Sequence, residues 1–496
     1  MSDTNIHKGS WKSLILSRGK WYIFSSLFTK GLSIFLLPVY TRYLSPADYG
    51  MLSLLNSIGQ FLPIIISLYI DSAFGRYFHE DKVDHLRLKR LFSTSYWFVA
   101  IYGGFVVVVS LASTSLWVGN FAQIPFAYLL LTFIPALLMQ LGQLGTIYLR
   151  QSLDSRRSTL LEVGAALMSI AITLPLLIFM DMGVMAKLIG SMVSAIFILV
   201  YYGRYFYSKD LFEFECDFQV LRRSLIYSLP LLPSVLGGWI SGMSDRLILA
   251  KYGNLESVGI YSLAATLATL LYVIQDAVTQ VTGPVSMSGL VHDRQATLEK
   301  MSQLSLLIWA LMLTADLGVV LFSPEIIAVF ATKKYIEASS LIGICGFVYV
   351  VSSQYRIFGD ILYVHNKTVI ISVAGILMAG VSAGLNLWLI PKFGGLAAAY
   401  SFVIATSVYT GWIILWAKHY ENVQIFWEKM LILFLIFLGG QWLSTIFKEI
   451  TMVNVFEKCL LLALFALLAL IIVMPAYFNE LFEVCNKYLS NRRVRK

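Results

Sequence analysis

Charge is what this sequence is short of. Only 13% of its 496 residues are Asp, Glu, Lys or Arg, about half the share that a soluble globular chain carries. That scarcity excludes a string of water-soluble domains, although the length alone would allow about three. No polar block or low-complexity tract is long enough to form a soluble domain or a linker. The 4 cysteines, Cys216, Cys345, Cys459 and Cys485, are scattered without a C-x-x-C spacing, so no disulfide is expected. None of the 6 histidines falls in mid-span or at metal-ligand spacing, which argues against a zinc or haem site. A Walker loop, a G-x-S-x-G elbow and a dinucleotide fingerprint are all missing, which excludes an ATP-driven pump within the chain. No cofactor is expected, and the energy for any transport would come from a source such as an H+ or Na+ gradient.

What is present is apolar: 58% hydrophobic residues, 14% aromatic and a mean hydropathy of +0.76. Runs such as LILFLIFLGG and LLLALFALLALIIVMP are apolar all round. Some twenty such residues in a helix cross a hydrocarbon core of about 30 Å with every backbone group bonded, whereas a barrel strand would alternate. The sequence therefore predicts an all-α polytopic membrane protein with about 14 transmembrane helices. They fall near 21–43, 51–70, 91–113, 123–149, 160–180, 184–203, 224–252, 258–284, 302–323, 341–363, 369–390, 396–416, 430–447 and 459–477. The first run follows Lys8, Lys12, Arg18 and Lys20 as a signal peptide's apolar region would, yet it continues past Pro38 without an A-x-A site. It is read as a retained span.

The formal net charge of +9 is spread by side rather than gathered in a groove, so no nucleic-acid partner is expected. Loops holding both termini and every second link carry about 26 Lys and Arg against about 8 in the other set, which assigns both termini to the cytoplasm. The basic tail, Arg492, Arg493, Arg495 and Lys496, then faces anionic membrane lipids.

A shift of 209 residues lays RYLSPADYGMLSL, from Arg42, over KYGNLESVGIYSL, from Lys251. Tyr43 meets Tyr252, Gly50 meets Gly259, Ser53 meets Ser262 and Leu54 meets Leu263. Six crossings lie between them, so the halves share one orientation and form a parallel repeat. The reading is two six-helix lobes around a central cavity, 1–210 and 211–420, followed by 421–496 with the last two spans and the tail.

Four segments carry a family resemblance: KGLSIFLLPVYTRYLSPADYGMLSLLNSIG, SLYIDSAFGRYF, SLPLLPSVLGGWISGMSDRLILAKYGNLESVGIYSLA and LNLWLIPKFGGLAAAYSFVIAT. Together they resemble bacterial polysaccharide-precursor flippases, the Wzx-like family of the multidrug, oligosaccharidyl-lipid and polysaccharide exporter superfamily. The resemblance implies two lobes that alternate between inward-open and outward-open. It implies a cargo of oligosaccharide linked through pyrophosphate to undecaprenol, carried to the outer leaflet of the inner membrane. It also implies work beside a polysaccharide polymerase and chain-length machinery, on an O-antigen, capsule or exopolysaccharide repeat unit.

A pyrophosphate needs cations along its path, and a cation in hydrocarbon costs at least about 2.5 kcal/mol, so such residues are rarely idle. Lys30, Arg246 and Arg356 are the expected substrate-binding cations, with helix-helix packing as the plainer reading. Asp245 and Arg246 are adjacent, about 100° apart on a helix, and are expected not to pair with each other. Arg356 and Asp360, four apart, read either as an intrahelical ion pair or as a cation screened until phosphate replaces the carboxylate. Asp276 and Asp316, without a sequence neighbour of opposite charge, are the candidates for ion coupling. Asp71 and Arg76 read as helix anchor or inner gate, Arg42 and Lys251 as snorkelling residues or an outer gate. Trp97, Trp117 and Trp427 read as an interfacial belt, Trp239, deeper and beside Gly237 and Gly238, as a candidate lining of the path, and Gln140 and Gln143 with Gly142 and Gly145 as helix packing.

Three functions compete: a lipid-linked oligosaccharide flippase, a multidrug exporter of the same fold, and a membrane polysaccharide polymerase or ligase. Cationic drugs would suit an anionic or neutral cavity rather than three cations, and an enzyme would need a large outer loop bearing catalytic groups. Cysteine labelling tests the charge-derived topology: Ser115→Cys is expected to react with an impermeant reagent outside intact cells and Ser490→Cys only after lysis. Labelling of Ser490→Cys from outside would overturn the orientation.

Overall fold

The computed structural model describes residues 31–493 apart from 33, 83, 118–123, 153, 215 and 445–451. The described chain is helical. Its main helices are α1 Leu37–Tyr43, α2 Pro46–Ser67, α3 Ile70–Asp81, α4 His85–Ala112, α5 Phe126–Gln151, α6 Ser155–Ile178, α7 Val184–Ser208 and α8 Phe218–Tyr252. They continue as α9 Leu255–His292, α10 Arg294–Leu321, α11 Ser323–Phe330, α12 Ser339–Val364, α13 Thr368–Tyr420, α14 Trp427–Ser444 and α15 Met452–Arg493. Among the described residues, eleven helices are long and apolar enough to cross a membrane. One of them, α13, has 53 residues and bends at Gly394, so it covers two of the spans read from the sequence. Many large apolar side chains stay exposed, among them Phe105, Val108, Leu460, Leu464 and Ile471. Surfaces of that kind need lipid rather than water.

By contacts the chain divides into two compact units, Met1–Gly259 and Ile260–Lys496. The repeat cuts the chain at 210 and packing cuts it at Gly259, because α8 lies against α2. In the first unit an aromatic core joins Phe74 and Phe78 of α3, Phe92 of α4 and Tyr202 and Phe206 of α7. In the second, Leu313 and Leu317 of α10, Phe358 of α12, Phe437 of α14 and Phe465 of α15 share one core. The last two helices are fixed there by more than apolar packing. Lys458 of α15 is fully buried and pairs with Glu325 of α11 at 2.6 Å, and Trp309 Nε1 donates to the Met430 carbonyl (3.2 Å).

The repeat reappears as geometry. Ser45 and Asn254, equivalent under the shift, both cap a helix: Ser45 Oγ accepts from the Asp48 amide (3.1 Å) and Asn254 Oδ1 from the Ser257 amide (2.8 Å). Such caps satisfy amides that the first turn leaves unbonded. Gly183 (φ 54°, ψ −130°) and Gly394 (φ 58°, ψ −134°) turn corresponding links with a backbone that side chains disfavour. Each unit also ties the start of its third repeat helix to the end of its sixth, through Lys89–Asp210 (3.1 Å) in one and Arg294–Glu421 in the other. Within the first unit, the opening turns of α2 and α9 cross at Gly50 and Gly259. A Cβ on Gly50 would strike the Leu255 carbonyl and stand 2.8 Å from the Gly259 amide nitrogen. A Cβ on Gly259 would strike the Pro46 carbonyl and stand 3.0 Å from the Gly50 nitrogen.

The obstacles there are backbone atoms, which cannot rotate aside. Gly50→Ala and Gly259→Ala are each expected to destabilise the detergent-solubilised protein by about 1–3 kcal/mol. Gly59→Ala, whose nearest neighbour would be a Thr132 methyl at 3.5 Å, is the tolerated control. Equal melting temperatures for all three would show that the crossing is not tight.

Candidate functional site

In the first unit α8 is broken by a 3-10 turn at Leu229–Leu231, where Pro230 interrupts the helix, and then runs on through Gly237, Gly238 and Gly242. Asp245, 2% exposed, accepts from Arg246 in two ways. The Arg246 amide donates to its Oδ1 (2.7 Å), and Arg246 Nη1 pairs with the same oxygen at 3.0 Å. Arg246 Nη1 also donates to the Gly242 carbonyl (2.8 Å) and Nε to Ser53 Oγ of α2 (3.2 Å). The expectation that Asp245 and Arg246 do not pair is corrected by this geometry. Adjacent Cβ atoms diverge, but a guanidinium on a long stem folds back across the divergence. Trp239 donates from Nε1 to the Ser57 carbonyl (3.0 Å) and packs on Phe61 at 4.7 Å, so it serves the α8–α2 contact. Gly142 and Gly145 meet Ile198 and Tyr202 of α7, the close packing expected of them.

In the second unit α12 is buried along most of its length, yet Tyr349, Ser352, Arg356, Asp360 and Tyr363 recur along it at steps of three to four residues. Arg356 stands over two rings, 5.6 Å from the centroid of Tyr272 and 5.8 Å from that of Tyr355, and Tyr355 meets Tyr409 edge to face at 4.7 Å. Its Nε is buried without a hydrogen-bond partner. The Arg356–Asp360 contact on which both readings rest is not formed: among the described residues no carboxylate lies within ion-pair reach of Arg356. The rings face the guanidinium instead, an attraction of about 0.5–2 kcal/mol.

The remaining candidates sit apart from these two. Asp316 of α10 is wholly buried, and neither of its carboxylate oxygens has a partner. Asp276, expected without a partner, accepts from Gln280 Nε2 (2.9 Å). Asp71 begins α3 just past the left-handed residues Leu68 and Tyr69 and accepts from Ser67 Oγ (3.3 Å). Arg76 pairs with Glu80 at 2.6 Å on an exposed face. Arg42 and Lys251 occupy the exposed last turns of α1 and α8. Lys187 donates to Ser169 Oγ (3.4 Å). Lys30, Arg495 and Lys496 lie outside the described residues. Sequence reasoning missed three groups: Lys458 with Glu325, the tyrosines around Arg356, and Asp81 with Arg223. In the last, Arg223 of α8 pairs with Asp81 of α3 and lies 4.4 Å over the Tyr77 ring. Only the polar stripe on α12 was there to be found in the sequence.

The family described as polysaccharide biosynthesis protein matches residues 39–340, well over half of the chain. The chain belongs to that family. Among curated relatives of this polysaccharide biosynthesis protein, the succinoglycan biosynthesis transport protein ExoT of Rhizobium meliloti is 25% identical over 321 residues, 63% of this chain and 60% of that one. The chain thus aligns with about three fifths of the length of the curated relatives it matches. Its fold is that of the lipid II flippase MurJ in an inward closed conformation, with a TM-score of 0.73 over 93% of this chain and 99% of MurJ at 14% identity. A multidrug resistance MATE family transporter of the MOP superfamily, inward-facing, follows it with a TM-score of 0.63 over 80% of this chain and 94% of its own, also at 14% identity. The expected fold is therefore present, although fewer than fourteen separate spans stand among the described residues.

Proposed function

We propose that this polysaccharide biosynthesis protein is a flippase that moves an undecaprenyl-pyrophosphate-linked oligosaccharide from the cytoplasmic to the outer leaflet of the bacterial inner membrane by alternating access. Both termini are cytoplasmic in this reading, and the chain is a transporter rather than an enzyme. The observation that carries the proposal is Arg356. It is a guanidinium deep in an apolar span, faced by tyrosine rings and left without a carboxylate. Aromatic faces and a guanidinium without a carboxylate suit a sugar joined to a pyrophosphate, since rings stack on sugars and the planar fork binds phosphate oxygens in pairs. A cationic drug would be repelled from the same position, which disfavours the exporter reading. Arg246, already met by Asp245, Ser53 and Gly242, is assigned to holding α8 on α2 and drops out of the cargo-binding set.

Arg356→Ala is expected to abolish restoration of surface polysaccharide in a strain lacking its own flippase, with Arg356→Lys retaining part of it. The comparison is made at equal membrane expression. Full restoration by Arg356→Ala would remove the cation from the mechanism.

Coupling to an H+ or Na+ gradient is assigned to Asp316. An ionised carboxylate with neither hydrogen bond nor counter-charge costs several kcal/mol in such surroundings, so the residue is not there for stability. The near-isosteric Asp316→Asn is expected to fold and to bind cargo but to lose the dependence of transport on the gradient. Unchanged transport with an unchanged pH profile would eliminate Asp316 as the coupling group.

A further inference from the structure

Between α6 and α7 of the first unit lies a groove of about 630 Å³, lined by none of the residues assigned to cargo or coupling above. Its walls are apolar, with Met168 from α6 and Val193, Ile196 and Val200 from α7, and it ends at Arg204 and Ser208. Next to that end, Arg157 stands 5.8 Å over the ring of Tyr205 and pairs with Asp154 at 3.3 Å. Arg204 is exposed and has no ion-pair partner among the described residues. Eleven residues separate Arg157 from Met168, and eleven separate Val193 from Arg204. At 1.5 Å per residue each distance is about 16 Å, close to half of a hydrocarbon core of about 30 Å. The groove thus runs from the level of one leaflet's headgroups to the middle of the bilayer. Its outer end lies on the side that the Lys and Arg bias assigns to the cytoplasm, where anionic lipids face basic loops.

We propose that this groove is a binding site for one anionic phospholipid. An acyl chain lies along Met168, Ile196 and Val200, and the phosphate is met by Arg204 and Arg157. Charge complementarity commits the site to an anionic lipid: the Arg204 guanidinium closes one end of a largely apolar slot of single-leaflet depth, and Arg157 stands beside that end over Tyr205. The inference does not depend on the cargo, because the slot belongs to α6 and α7 alone.

Native mass spectrometry of the purified full chain, titrated with phosphatidylglycerol or with phosphatidylcholine of the same acyl composition, tests it. The parent protein is expected to retain one phosphatidylglycerol in preference to phosphatidylcholine. Arg204→Ala is expected to weaken phosphatidylglycerol about fivefold, the equivalent of about 1 kcal/mol for one headgroup contact. Ile196→Trp fills the slot while leaving both guanidinia in place, and is expected to weaken binding as well. Equal retention of the two lipids, or no effect of Arg204→Ala, overturns the proposal. Loss with Arg204→Ala but full binding by Ile196→Trp also overturns it, since the lipid would then be attracted by surface charge without occupying the groove.

Discussion

A charged side chain inside hydrocarbon must be met by a counter-charge, a hydrogen-bonding group, an aromatic face or a ligand, because bare ionisation there costs several kcal/mol. How each buried charge is met sorts the helices of this protein by what they do. Lys458 meets Glu325 and fixes the last helix to its unit. Arg246 meets Asp245 and Ser53 and fixes α8 to α2. Arg356 meets tyrosine rings, which attract a cation without neutralising it. Asp316 meets nothing that bonds to it. The first two charges build the fold, and the last two are the ones to which cargo and coupling ion are assigned.

Much of the fold was legible in the chain because apolar runs of span length have few alternatives: a helix satisfies its own backbone and a strand in lipid does not. The helices α5, α7 and α12 lie within a few residues of the expected spans. The repeat was legible for a stricter reason. At Gly50 and Gly259 a backbone passes where a side chain would stand, so both positions need glycine, and the caps at Ser45 and Asn254 hold the same register. A short match was enough because the glycines in it have a steric duty that no other residue can take over.

Side-chain pairing was less legible. Spacing along a helix gives the direction of Cβ, and a guanidinium four bonds further out answers to its surroundings instead. By that rule Asp245 and Arg246 diverge, yet they bond; Arg356 and Asp360 share a face, yet they do not. Of the two rings over Arg356, Tyr272 comes from α9, far away in sequence, and the other, Tyr355, is backed by Tyr409 of α13. Lys458 shows the same limit. In the sequence it is a lone basic residue at the edge of a span, and only the fold brings Glu325 to it.

The two arginines are proposed to have different duties, one spent on structure and one kept for an anion. Binding of an undecaprenyl-pyrophosphate-linked glycan to the purified protein in detergent separates them most directly. Replacing Arg356 with Gln is expected to weaken binding by about tenfold, as loss of a charge-assisted bond of about 1.5 kcal/mol would. Replacing Asp245 with Asn and Arg246 with Gln together removes the internal pair without leaving a lone charge, and is expected to leave affinity within about twofold. The opposite pattern, affinity lost with Arg246 and kept without Arg356, would contradict the account.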